Sequence, residues 1–190
     1  MHRRVVAQQW ISVDGFAAGP TDETEIFAGV PAESDARSME LNETLIPEVE
    51  TVLLGRRSYE AFVRFWPTEA ARDVPVAPLV NAVPKVVAST TLAAAPWGDH
   101  APARVVPDAV EHVRGLRAEP GGIVLVWGSL ALMRMLIDAG QVDELDLFVA
   151  PVALGRGTPL VGRPLGLRQI TGEVFPSGGA HLRFAVTGPA

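Results

Sequence analysis

The chain of 190 residues has no cysteine. That excludes disulfides, iron–sulfur clusters, thiolate zinc sites and a cysteine nucleophile, and with them a disulfide-stapled secreted scaffold. Lysine is almost missing, since Lys85 is the only one and the rest of the 16 basic residues are arginine. Long apolar runs are missing too. The longest, counting proline, is Leu147 to Leu154, far short of the ~20 residues that span a bilayer. After Met1-His2-Arg3-Arg4 the N-terminus meets Gln8-Gln9 before a signal-peptide core can form, so a soluble, cytoplasmic protein without membrane contact is expected. A net charge of −6 offers no clustered basic surface, which argues against nucleic acid as a partner. His2, His100, His112 and His181 lack metal-ligand spacing and there is no H-E-x-x-H, so no metal site is expected. A G-x-S-x-G elbow is absent as well, which removes a serine hydrolase.

What is present suits one globular domain over residues 1–190, with 48% apolar and 20% charged residues. Strand-length apolar runs alternate with helical patterns, the signature of an α/β fold with a mostly parallel sheet. A first strand is predicted over 4–12, closed by the Asp14-Gly15 turn, with a loop opening at Gly19-Pro20. A helix is predicted over 34–46, with Ser34 as N-cap, Met39, Leu41 or Asn42, Leu45 and Ile46 on or near one face, and Pro47 as its stop. Residues 51–54 read as a strand buried on both faces, and Gly55 then opens a helix towards Phe62. The prolines at 67, 75, 78 and 84 predict an irregular connection over 66–84 that could serve as a lid.

Further strands are expected at 86–88, 104–106, 123–127 and 145–149, and a loop around Trp97. Asp108 with Glu111 three residues on reads as a capping-box variant, and a helix over 130–139 stops at Gly140. A closing antiparallel hairpin is predicted from 170–175 and 181–186 around Pro176-Ser177-Gly178-Gly179.

Two strand-to-helix junctions stand out, Gly55-Arg56-Arg57-Ser58 and Trp127-Gly128-Ser129-Leu130. A helix start carries unpaired N–H groups and a positive dipole end, and glycine lets a phosphate approach the backbone. Serine adds a donor and arginine a planar fork for phosphate. A turn role alone would also explain either glycine, but two such junctions at the carboxyl ends of parallel strands suit a ligand of an open α/β sheet. Neither is a G-x-G-x-x-G or Walker loop. Trp10, Trp66 and Trp127 could line a pocket for a flat ring, with Trp10 the candidate for substrate contact, or could simply be core.

In order along the chain stand Ile11-Ser12-Val13-Asp14-Gly15, Leu54-Gly55-Arg56-Arg57-Ser58-Tyr59-Glu60, Trp66-Pro67, Pro84-Lys85-Val86-Val87-Ala88-Ser89-Thr90-Thr91, Trp127-Gly128-Ser129 and Pro151-Val152-Ala153-Leu154-Gly155. This series resembles the dihydrofolate reductase-like proteins, in particular the small bacterial branch related to the reductase domain of bifunctional riboflavin biosynthesis enzymes. The resemblance implies a three-layer fold and NADPH lying across the carboxyl edge of the sheet. Arg56, Arg57 and Ser58 would meet the pyrophosphate and the 2′-phosphate, with Gly55 at the turn. Ser89 and Thr90 would flank the adenosine end. Trp127, Gly128, Ser129 and Leu130 would cradle the cofactor from the other side, and Ala17 and Ala18 would border the nicotinamide. Dihydrofolate reductases carry Gly-Gly where this chain has Gly128-Ser129, which puts folate in doubt as a substrate.

Reduction also needs a proton. The resemblance points to the helix after the first loop, where Glu40 and Glu43 lie, and Asp14 is the other candidate, although an Asp-Gly turn has its own structural reason. The leading expectation is an NADPH-dependent oxidoreductase acting on a small heterocyclic, pterin- or pyrimidine-like, or carbonyl substrate. The alternatives are a nucleotide-binding module without chemistry and an acidic structural protein. A homodimer is expected from the resemblance, with the apolar segment 145–154 as its interface.

Overall fold

A computed structural model describes residues 3–22 and 24–188; His2 lies outside them. The chain runs β1 (Arg4–Ser12), β2 (Phe16–Ala18), α1 (Ala32–Leu45), β3 (Val49–Gly55), α2 (Arg56–Phe62), α3 (Ala77–Ala82), β4 (Lys85–Ala88), β5 (Ala95–Trp97) and β6 (His100–Val106). It continues with α4 (Ala109–Arg117), β7 (Ile123–Trp127), α5 (Leu130–Asp138), β8 (Glu144–Ala150), β9 (Thr158–Pro159), β10 (Gly166–Val174) and β11 (Ala180–Gly188).

Nine strands form one sheet in the order β10-β11-β8-β1-β7-β3-β4-β6-β5. The six central strands from β8 to β6 pair in parallel, while β11, β10 and β5 join antiparallel. Strands and helices alternate in sequence because each parallel neighbour must be reached by a crossover. The continuous apolar strands follow from burial on both faces. Alternate residues separate the two cores: Val5, Ala7, Leu53, Val124, Val126, Leu145 and Leu147 pack beneath α4 and α5. Val6, Val52, Leu54, Val87 and Leu125 face the other way, onto Tyr59 of α2 and the segment from Trp66 to Val83. The sheet therefore lies between two helical layers.

The segment 66–84 is not a lid. Trp66, Ala71, Val76, Ala77, Val80 and Val83 are all buried, and burying one such valine contributes roughly 1.5–3 kcal/mol. Asn81 ties the segment down, donating to the Trp66 carbonyl at 2.9 Å and accepting from Trp97 Nε1 at 2.7 Å. The prolines report irregular backbone correctly, but the valines between them hold it against the sheet.

Helix α1 departs from expectation in two ways. Its N-cap is Pro31, and Ser34 lies inside the helix, its hydroxyl 2.7 Å from that of Ser177. Its buried residues are Ser34, Ser38 and Asn42, a polar stripe at a spacing of four, while Met39 and Leu45 are only partly buried. The sheet beneath explains the stripe, since Gln8 and Asp146 are themselves buried polar residues there.

The proposed dimer segment is also placed differently. Of the segment 145–154, the part in β8 lies between β1 and β11 with Leu145, Leu147, Phe148 and Ala150 buried and no free edge, while Pro151 and Ala153 beyond it are exposed. The exposed apolar residues nearby belong to the edge strand β10, where Leu167, Ile170 and Val174 face solvent. Asp108 caps α4 as expected, accepting the Glu111 N–H at 2.9 Å. Among the described residues no helix is long and apolar enough to cross a membrane.

Candidate active site

The carboxyl ends of β1, β7 and β3 converge on a cleft of about 250 Å³. Two of its walls are aromatic. On one side Trp10 stands 5.1 Å from Phe148 and 6.4 Å from Phe27; on the other Trp127 meets Phe62 edge-on at 5.4 Å. Such walls accept a flat ring by stacking or edge contact. Ala17, Arg57, Ser58, Gly128, Ser129 and Leu130 complete the approach.

The two glycine junctions interlock at this edge. A Cβ on Gly55 would sit 2.0 Å from Ser129 Oγ, and one on Gly128 would sit 3.5 Å from Ser58 Oγ. Each turn thus places its glycine against the other's serine. Gly128 has φ +66°, and Ser129 follows it in the left-handed region at φ 65°, the one non-glycine residue with positive φ among the described residues. That conformation costs an L-residue about 1–2 kcal/mol, and such strain clusters at ligand sites. It leads straight into α5, nine residues long, whose first turn has N–H groups without intrahelical partners. No side-chain bond caps it. Helix α2 has only seven residues, so Arg57 and Ser58 contribute to the cleft as side chains.

Arg56, one residue earlier, lines a separate and more open groove with Ser89 and Thr90, over the ends of β4 and β6. It is half exposed and lies 3.6 Å from Glu60. Arg56 and Arg57 are consecutive at the start of α2, one lining each depression. The structure therefore brings Trp10, Ala17, Arg57, Ser58, Trp127, Gly128, Ser129 and Leu130 into one cleft, Arg56, Ser89 and Thr90 into the adjoining groove, and Gly55 between them.

The three acid candidates are not among the residues of the cleft. Asp14 is held by the Ser12 hydroxyl at 2.5 Å and by the N–H groups of Gly155 and Leu154 at 2.7 and 3.1 Å. The Ser12 hydroxyl foremost, then the Gly155 N–H, keeps its carboxyl below the usual range. Asp14 thus pins the loop after β8 to the end of β1. Glu40 is exposed and paired with Arg37 at 2.7 Å. From α1 the cleft receives Ser38, Met39 and Asn42 instead of either glutamate. Gln8, Phe27, Asn42 and Phe148 were not foreseen as lining residues. The polar spacing of four in α1 is the signal that points to this wall, with Ser38 and Asn42 reaching the cleft and Ser34 bonded to Ser177 instead. His112 is half-buried and His181 buried, and no group of three His, Asp or Glu residues is arranged to hold a metal among the described residues.

The sequence pattern described as the RibD C-terminal domain matches residues 3–179. An uncharacterized protein of Bacillus subtilis (strain 168), YyaP, is 27% identical over 181 residues, 93% of this chain and 91% of its own. The crystal structure of a putative riboflavin biosynthesis protein from Shewanella sp. PV-4 superposes with a TM-score of 0.74 at 19% identity, covering 97% of this chain and 99% of that one. Dihydrofolate reductase from Enterococcus faecalis, complexed with NADP(H) and RAB-propyl, gives a TM-score of 0.59 at 12% identity over 97% and 96% of the two chains. The mostly parallel sheet between two helical layers, closed by its antiparallel hairpin, is thus the dihydrofolate reductase-like fold, and the chain belongs to the RibD C-terminal domain family, a reductase-type family.

Proposed function

We propose that the protein is an NADPH-dependent reductase of a small heterocyclic or carbonyl compound. The observation that carries this reading is the pair of interlocked junctions opening beside an aromatic slot. Gly55 and Gly128 remove the side chains that would hold the turns apart, which leaves the first turn of α5 and the Ser58 and Ser129 hydroxyls for a pyrophosphate. Arg56 with Ser89 and Thr90 supplies donors for a 2′-phosphate, and Asp108, the one acidic residue among the described residues of that groove, is engaged in capping α4. Bound there, NADPH would supply the hydride.

The chain's own residues do the rest. Trp10, Phe148 and Trp127 hold a flat substrate and exclude water, and Ala17 leaves room for a ring at the exit of β1. The same reading places the protein in the cytoplasm as a homodimer. The exposed apolar side chains of β10 are its contact surface, and light scattering that returns a monomer removes the dimer. Substituting Arg56→Glu and Arg57→Glu tests the cofactor assignment. Affinity for NADPH should fall more than affinity for NADH, and equal losses would show that the 2′-phosphate is held elsewhere.

A further inference from the structure

Among the described residues lining the cleft there is no Asp, Glu, His, Lys or Tyr, and its one ionised side chain is Arg57. A guanidinium does not release its proton under working conditions. Reducing a C=N or C=O bond there requires a proton that none of these described residues is placed to give up. Directly behind that wall is a second cavity of about 120 Å³, and Gln8 and Phe148 line both.

The second cavity contains Asp146 on β8 and His181 on β11, 2% and 8% exposed. His181 Nε2 is bonded to Asp146 Oδ1. Gln8 Nε2 lies 3.4 Å from the other carboxylate oxygen and donates to Asn42 Oδ1 at 2.8 Å. Asn42 is part of the cleft wall. A continuous polar chain, His181 to Asp146 to Gln8 to Asn42, therefore runs from the rear cavity to the cleft. An acceptor-only carboxylate facing Gln8 also fixes which way that amide points.

The rear cavity has further features of a water path. Gln8 Oε1 and Arg183 Nε are buried and bond to no protein group, and a water needs only about 10–15 Å³ of such space together with polar partners. Its outer rim is formed by Thr44 and Glu48, both exposed. Cross-strand packing alone does not call for this pair, because buried ions are commonly no more stabilising than apolar residues of the same size.

We propose that the Asp146–His181 pair is the proton reservoir of the cleft, passing a proton through water held at Gln8 Oε1 to the group being reduced. This rests on the reductase reading. In each turnover the substrate carbon gains a hydrogen with its electron pair, and the π electrons of the C=N or C=O bond become a lone pair on the heteroatom. That atom binds one proton. The Asp146–His181 pair gives up one proton and regains it from solvent past Thr44 and Glu48. The other charged groups around the pair are already engaged or at the rim: Glu173 of β10 pairs with Arg37 of α1, Glu144 with Arg4 and Arg183, and Glu48 lies near Arg4.

The test is hydrogen exchange read by side-chain nitrogen NMR of the full-length protein without ligand. The His181 ring N–H, although buried, should exchange its proton rapidly with water, and the Gln8 side-chain amide should show exchange with a bound water. Closing the rim with Glu48→Leu should slow the ring exchange several-fold, and in His181→Gln the ring signal should vanish while the thermal transition persists. A ring N–H protected as strongly as the core amides, or one that exchanges while Gln8 meets no water, overturns the proposal. Failure of the protein to bind NADPH would instead remove the reductase reading and leave these exchange rates as they are.

Discussion

Replacing Gly55 by alanine perturbs the contact on which the site depends and very little else. Gly55 has φ −80° and ψ 163°, a conformation alanine adopts without strain. Its new methyl group would stand 2.0 Å from Ser129 Oγ and 3.0 Å from Ser129 Cβ, and 3.8 Å from Leu132 Cβ, an ordinary contact. The clash is therefore with one side chain, on a residue already held at φ 65°. Overpacking of this kind costs about 1–3 kcal/mol, which for a chain of this length lowers Tm by roughly 2–4 °C per kcal/mol. Ser129→Gly removes both clashing atoms and relieves the left-handed backbone. Gly55→Ala should thus be destabilising alone and nearly neutral in the Ser129→Gly background, with a coupling of at least about 1 kcal/mol in a double-mutant cycle read by urea unfolding. NADPH affinity should drop with Gly55→Ala, because relief of the clash moves the start of α5. Additive stabilities would refute the interlocked geometry.

Lys85 and Asp14 give two independent checks. Burial lowers Lys85 to about 8 from an ordinary 10.5, although its Nζ donates to the Asn81 and Val83 carbonyls and lies 4.5 Å over the Trp97 ring. A base with a depressed folded pKa is hardest to accommodate while charged. Stability should therefore rise as pH climbs from 8 towards 10.5, by no more than about 3 kcal/mol. Lys85→Met should flatten that rise in urea titrations up to pH 9.5, and parallel curves for the two proteins would contradict the assignment. The upper limit avoids Tyr59, whose burial-raised pKa works in the opposite sense above its ordinary 10.0. Asp14→Ala should speed amide hydrogen exchange at Leu154 and Gly155 and leave nicotinamide nucleotide affinity unchanged. Because the folded carboxyl titrates below its ordinary 3.8, the clamp is complete above that pH and is lost as pH falls beneath it. A large loss of nucleotide affinity would return Asp14 to the cleft.

The parallel core was legible because strands buried on both faces read as continuous apolar runs, as in Ile123 to Trp127. The junctions were legible for a related reason: glycine between an apolar strand and a helix marks close backbone approach. The polar half of the sheet was not. Apolar periodicity assigns a helix its inward face by grease, so it selected Met39, Leu45 and Ile46, left Leu41 and Asn42 as alternatives, and passed over Ser38; it is Asn42 that meets Gln8 of β1. The same bias left Asp146 unremarked inside an apolar strand and His181 as a packing residue, since their meeting depends on the β8–β11 register. Short edge elements escaped for want of length: β5 contributes three residues and carries a proline. Asp14 and its loop partners are about 140 positions apart, a separation that no local pattern encodes.

The central claim is that this cleft and its adjoining groove hold a nicotinamide dinucleotide by the 2′-phosphate and pyrophosphate. Isothermal titration of the purified protein with NADPH, run beside NADH, tests it most directly. The account predicts saturable binding of NADPH with clear preference over NADH, lost in Gly55→Ala. Binding of neither nucleotide would contradict it, and equal binding of both would dismiss the role given to Arg56, Ser89 and Thr90.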